Sequence, residues 1–282
     1  MMHLPEIPEI ETVCHHLRSS VLATPITGIT LNRSKNLNIE PDDFVRLVTG
    51  QTIIAVGRRA KIILLTLSNQ YTITIHFMLE GYAQLLEDHE PRLQQASTVF
   101  YLASGKALTL FKINLGYIHL FPTVNWQDIE DVNQLGPEPL SAEFTLSHFL
   151  ELFKSRKGMI KPLLMDQKLI AGIGNVYSNE ALFCSRILPT RKVKDMNDAE
   201  LSAVYHCLRR LLSQAVQLGG VYDIPYSQAD QLTGGYLAQL KVQVNRALNA
   251  QRLFKHSAWA DAMPSIVQNA STSSFFVKHS IF

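Results

Sequence analysis

Two textures of sequence meet in this chain, and the change between them limits what it can fold into. From about residue 26 to 121 it consists of short β-branched or aromatic runs: Ile26–Leu31, Thr52–Val56, Ile62–Leu67, Tyr71–His76, Tyr82–Leu86, Thr98–Leu102 and Ala107–Phe111. Ser68-Asn69-Gln70 and Ser104-Gly105-Lys106 supply turn residues between them. Runs of this length and spacing predict an antiparallel sandwich or barrel. After residue 141 the pattern turns helical, with helices predicted over 143–153, 159–165, 176–185 and 198–217. The last starts with Asn197 as cap and Glu200 three residues on, and it stops at Gly219-Gly220. Ahead of the strands a helix is predicted over 8–22. Pro8 suits the first helical position, Glu9 and Glu11 suit the positive end, and Ile10, Val13, Leu17 and Val21 share one face.

The plan is therefore α+β. An N-terminal helix and antiparallel β-sandwich domain is expected over 1–125, and a helical domain over 141–240. The Pro- and Gly-bearing stretch 122–140 joins them, with the linker itself drawn at 126–140. In the tail, 241–282, Ser265–Gln268 and Ser274–Lys278 predict a hairpin around Asn269-Ala270-Ser271-Thr272.

Composition adds limits. The 282 residues are 18% charged and 46% hydrophobic, as in an ordinary globular protein. No apolar stretch is long enough to span a bilayer, and no basic region followed by an apolar run opens the chain. A cytoplasmic monomer without a membrane partner is the expectation. A net charge of +2 is too mild to announce a nucleic-acid partner. The basic clusters Arg58-Arg59 with Lys61, Lys154 to Lys161, and Arg191 to Lys194 read, by themselves, as solvated surface. Cys14, Cys184 and Cys207 lie far apart in apolar, helix-like settings, which predicts buried free thiols. Their spacing matches no metal site, so neither metal nor cofactor is expected.

Three segments carry a further signal. They are Pro5-Glu6-Ile7-Pro8-Glu9-Ile10-Glu11-Thr12, then Leu135-Gly136-Pro137-Glu138-Pro139-Leu140, then Asp166-Gln167 with Ala171-Gly172-Ile173-Gly174-Asn175-Val176-Tyr177 and Glu180-Ala181-Leu182-Phe183. On residues alone, Gly172 to Asn175 is a turn between helices, and amides at the start of the next helix can hold a phosphate. A plain tight turn is the competing reading. In order and spacing the three segments resemble the formamidopyrimidine-DNA glycosylase / endonuclease VIII family across about 5–240. The resemblance implies a helix–two-turn–helix element and a duplex DNA partner, damaged or distorted. It implies Lys61, His76, Lys161, Gly174 and Asn175 as DNA-binding residues. It also implies Pro5 and Glu6 as catalytic residues and Leu79, Ile113 and Leu115 as fillers of the gap left by a flipped base.

In the family the catalyst is an N-terminal proline amine that attacks C1′ of the damaged nucleoside, assisted by the adjacent glutamate. This sequence departs from the pattern in three places. Met1-Met2-His3-Leu4 precede Pro5, so its nitrogen is an amide unless residues 1–4 are removed. Ile113 and Leu115 stand where the family places an arginine and a phenylalanine. The tail has no cysteine, and His256 and His279 alone cannot close a zinc site, so a zincless finger-like hairpin over 241–282 is expected. Three readings stay open: a DNA-binding, non-catalytic protein; a glycosylase and AP lyase acting on oxidised bases after trimming to Pro5; and an RNA- or protein-binding module reusing the helix–two-turn–helix element.

Overall fold

A computed structural model describes residues 5–240 apart from 126, 128 and 129. The chain opens with α1 (Ile7–Ser20). Its Ile7, Ile10, Cys14 and Leu17 recur at helical spacing and are fully buried. Burying each such aliphatic side chain contributes about 1.5–3 kcal/mol. There follow β1 (Ile26–Leu31), α2 (Pro41–Val48), β2 (Ile53–Arg59), β3 (Ile62–Leu67), β4 (Tyr71–His76), β5 (Tyr82–Glu87), β6 (Thr98–Leu102), β7 (Lys106–Phe111) and β8 (Tyr117–Pro122). All pairings are antiparallel. One sheet has the order β1-β6-β7-β5, the other β2-β3-β4-β8.

The inner faces of both sheets share one core with α1 and α2. Ile63, Leu65, Ile73 and Ile75 of the second sheet meet Phe100, Leu102, Leu108 and Leu110 of the first. The sandwich expected from the alternating runs is present, with two additions, α2 and β8. β2 also runs on through Arg58 and Arg59, past the predicted end at Val56.

The helical body contains α3 (Glu130–Asn133), α4 (Leu146–Lys154), α5 (Ile160–Met165), α6 (Asn175–Ser185) and α7 (Asp198–Gln217). Its core gathers Phe149, Phe153, Tyr177, Leu208 and Leu212. Asn197 caps α7 as predicted: its side chain accepts from the Glu200 amide, and Glu200 accepts from the Asn197 amide. α1 packs on β2 and β3 on one side and on α7 on the other, so the leading helix joins the two bodies.

A latch of charges makes the second junction. Glu138 accepts from Arg58 at 2.7 Å, from Arg59 at 3.2 Å and from the Ala60 amide at 2.5 Å. Arg58 also reaches Glu11 at 2.9 Å, and Arg59 donates to the carbonyls of Leu135 and Gly136. The expectation of a solvated basic cluster is therefore corrected at Arg58 and Arg59. Both are largely buried and paired, because a buried guanidinium needs its donors satisfied.

The cysteine expectation is corrected too. Cys14 is a buried free thiol, but Cys184 and Cys207 form a disulfide between α6 and α7, with Cα atoms 5.9 Å apart. Each sits on an interhelical face, so residues 23 apart in sequence meet once the helices pack. The hairpin expected at 265–268 and 274–278, with His256 and His279, lies outside the described residues.

Candidate functional site

The N-terminus of α1 meets the N-terminus of α6. Glu6 is only 1% exposed. Its carboxylate accepts from the Gly174 amide at 2.5 Å and the Val176 amide at 2.8 Å, across 168 and 170 residues of sequence. A carboxylate is held well there, because the first amides of a helix lack intrahelical acceptors and carry partial positive charge. This corrects the expectation that those amides stand open for a phosphate: two of them are already given to Glu6. Gly174 is required for the approach, since a Cβ on it would lie 2.6 Å from the Glu6 carboxyl. Gly172, at φ +89°, turns the chain in the left-handed region, with Ile7 against it. Gln167 clamps that turn, accepting from the Gly172 amide and donating to the Ile173 carbonyl, both at 2.8 Å.

Glu9 lies one turn along and is equally enclosed. It accepts from the Glu6 amide at 2.9 Å, the Tyr177 hydroxyl at 2.7 Å and the Val221 amide at 2.9 Å. It therefore receives one partner each from the residue capping α1, from α6 and from the segment after α7. That segment is itself pinned to α1: Asp230 faces His16 at 3.0 Å, and Ser20 meets Tyr226 at 3.0 Å. Burial pushes Asp230 up, but the Thr233 hydroxyl and the amides of Thr233, Tyr226 and Leu232 hold it down at about 2.

Burial pushes the Glu6 carboxyl up to about 7, against the charge of Lys61 and the two amides that lower it, while Glu9 adds to the rise. Glu9 is also raised, chiefly by burial. Lys61 is lowered by burial, and Glu6 and Glu9 oppose that shift. Lys161 is likewise lowered by burial and feels Glu6. Four titratable groups from α1, β3's leading edge and α5 are thus coupled around one point. Pro5 lies beside it, lining a cleft with Glu9, Phe77, Tyr82, Tyr222 and Tyr226.

Two loops border the same region. His76 ends β4 and stacks on Tyr117 with ring centres 5.4 Å apart. The backbone after it is drawn tight: a Cβ on Gly81 would lie 2.6 Å from the Phe77 carbonyl, and one on Gly116 would strike the carbonyl of His76. Leu79 is half-buried and Leu115 is 64% exposed, so both have surface to offer a ligand. Ile113 does not. It is fully buried in the sandwich core, and its amide is held by Ser97 at 3.1 Å, so its assignment as a gap filler is corrected. Lys112, Asn114 and Leu115 face outward in this loop, and Ile113 takes the inward place against the core.

Among the sequence-predicted residues, the structure brings Pro5, Glu6, Lys61, Lys161, Gly174 and Asn175 to one junction, with Asn175 exposed at the first turn of α6. Sequence reasoning missed Glu9, Tyr177 and Met78. Glu9 and Tyr177 lie inside the motifs already singled out. Met78 is 36% exposed at φ 51° beside Leu79, with only its apolar character to mark it. Among the described residues no group of three or more His, Cys, Asp and Glu side chains is placed to hold a metal, and no helix is long and apolar enough to cross a membrane.

A helix-led, two-sheet sandwich joined through its first turn to a helix–two-turn–helix body is the fold of one class of DNA-repair glycosylases, the formamidopyrimidine-DNA glycosylases. The chain matches the formamidopyrimidine-DNA glycosylase N-terminal domain over residues 4–113 and the formamidopyrimidine-DNA glycosylase H2TH domain over residues 135–223. It is 36% identical over 215 residues to the formamidopyrimidine-DNA glycosylase of Chloroflexus aurantiacus, covering 76% of this chain and 77% of that one. To the Listeria innocua enzyme of the same name it is 31% identical over 241 residues, covering 85% and 88%. Its fold is similar to that of the Lactococcus lactis Fpg in complex with DNA containing an abasic site, with a TM-score of 0.77 at 25% identity over 83% of this chain and 86% of that one. The chain belongs to the formamidopyrimidine-DNA glycosylase family.

Proposed function

We propose that this protein binds damaged or distorted duplex DNA at the junction of α1 and α6, and that glycosylase and lyase chemistry at Pro5 is open only to a chain freed of Met1–Leu4. The observation that carries this reading is the enclosure of Glu6. A carboxyl half-protonated near pH 7 sits next to Pro5, flanked by Lys61 and Lys161. Such a group can give or take a proton at neutral pH. Lys61 and Asn175 supply the contacts to the backbone phosphates, with Lys161 and His76 at the margins. Leu79 and Leu115 fill the space of an extruded base.

With residues 1–4 in place, the Pro5 nitrogen shares its lone pair with the Leu4 carbonyl and cannot attack a sugar. With them removed, it is a secondary amine of pKa near 8 that is partly neutral at working pH. Its lone pair then forms a bond to C1′, and the base leaves with the glycosidic electron pair and takes up a proton. Glu6 protonates O4′ as the C1′–O4′ bond breaks and the nitrogen, losing its own proton, forms an iminium to C1′. Loss of a proton from C2′ and of the 3′ phosphate completes strand cleavage.

The binding half of the proposal is tested by fluorescence anisotropy at fixed salt. Duplex DNA carrying a tetrahydrofuran abasic analogue is compared with undamaged duplex and with RNA of the same sequence. Tightest binding to the abasic duplex is expected. Equal or tighter binding to RNA contradicts it and favours the RNA-binding alternative.

A further inference from the structure

We propose that Cys184 and Cys207 are a reversible thiol–disulfide couple whose exchange partner is an anionic low-molecular-weight disulfide of the glutathione type. Three observations lead there. The first is access. Cys14 is enclosed, with its thiol pushed up to about 12 by burial. Cys184 and Cys207 are only partly buried, and they line an open groove between α6 and α7. Exposed disulfides are the ones that exchange.

The second is charge. The groove is also lined by Arg186, His206 and Arg210, with Ser185 and Ala203 and no carboxylate. The Arg210 guanidinium donates to Cys184 Sγ at 3.0 Å. A guanidinium on sulfur favours the thiolate, which is both the attacking species and the better leaving group. The two arginines also draw a carboxylate-bearing disulfide and repel a cationic one.

The third is place. The bond ties the last turn of α6 to the middle of α7. The first turn of α6 supplies the amides that hold Glu6, and the chain leaving α7 supplies the Val221 amide that holds Glu9. The couple therefore sits on the two helices that set the carboxyl pair, at the other end of α6 from it. A permanent disulfide is unusual in a reducing compartment, whereas one that opens and closes is not.

The exchange balances without any other reagent. The Cys184 thiolate attacks one sulfur of glutathione disulfide, forming a mixed disulfide and releasing one glutathione thiolate, which takes up a proton. The Cys207 thiolate then attacks the Cys184 sulfur and expels the second glutathione. Two protein thiols have lost two electrons and two protons, and glutathione disulfide has gained them. Excess reduced glutathione runs the same steps backwards.

The test uses the full-length chain, reduced and freed of reductant. Bond formation is followed by alkylation and intact mass, with glutathione disulfide (anionic) or cystamine (cationic) as oxidant. The expected result is closure of Cys184–Cys207 by both, with the rate ratio favouring glutathione disulfide. That ratio should fall several-fold in Arg210→Ala and in high salt. Millimolar reduced glutathione should reopen the bond in the folded protein and lower Tm by several degrees. Cys184→Ser/Cys207→Ser should show no Tm response to thiol. A bond that stays closed in reduced glutathione, sulfurs that never pair, or a ratio unchanged in Arg210→Ala each overturns the proposal.

Discussion

Glu6 is buried with its carboxyl pushed up to about 7, so its charge state changes across neutral pH. Because its folded pKa lies above the ordinary 4.5, the stability it contributes is full below 4.5 and is lost as pH rises through about 7. Glu9 and Glu180, both raised by burial, act in the same direction. Unfolding free energy should therefore decline between pH 4.5 and 7, with a shallower decline in Glu6→Gln. A carboxyl carbon titration followed by NMR should give Glu6 a midpoint near 7, and a midpoint near the ordinary 4.5 contradicts this. Protonating Glu6 also removes the carboxylate charge that acts most on Lys61. DNA affinity should tighten as pH falls through 7, and Lys61→Ala should remove much of that dependence. The same substitution should weaken binding alike across sequences and reduce the slope of log affinity against log salt by about one. Unchanged affinity in Lys61→Ala removes it from the site.

At the scale of elements, the loop between β7 and β8 separates two roles that adjacent apolar residues hide. Ile113→Ala empties a core position and should cost about 2–4 kcal/mol in denaturant unfolding, with normal DNA affinity once the protein is folded. Leu115→Ala should leave stability within about 0.5 kcal/mol and weaken binding to the abasic duplex. The reverse pattern contradicts the placement of the loop. Asn175, exposed at the first turn of α6, should behave like Leu115, with Asn175→Ala weakening binding without unfolding. Most elements were legible in sequence because their periods are clean, as in α1, α7 and the β3–β4 hairpin. Two were not. α2 has eight residues with only Phe44 and Val48 fully buried, too short a stripe to establish a period. β8 ends in Pro122, which reads as punctuation, yet Pro122 lies at the end of an edge strand, where a missing amide costs little. Facing direction in the 112–116 loop depends on packing against the core and could not be read from residue type.

For the whole molecule, the decisive contacts span the chain. Glu9 looked like a helix-start charge, Glu6 was implied only as the partner of Pro5, and the motif residues Gly174 and Tyr177 looked like part of a phosphate-binding turn. Which partner each takes is decided only when α1 lodges between the sandwich and α7. The family motifs pointed to the residues that meet at this junction, while burial and pairing became visible in the fold. The disulfide was hidden for the same reason, since two helical faces must pack before its sulfurs meet. Closing that loop stabilises the protein by about 3 kcal/mol on the chain-entropy estimate.

The state of the Pro5 nitrogen governs everything chemical in this account. The most direct measurement is borohydride trapping on a duplex with a true abasic site, comparing the chain as written with one encoded as methionine followed directly by Pro5. An initiator methionine before proline is removed in the cell, so the second chain carries a free Pro5 amine. The account predicts a covalent adduct at Pro5 for the second chain alone, while both bind the duplex. Trapping of the intact chain through one of its own residues, or failure of the Pro5-initiated chain to be trapped while it still binds, would contradict it.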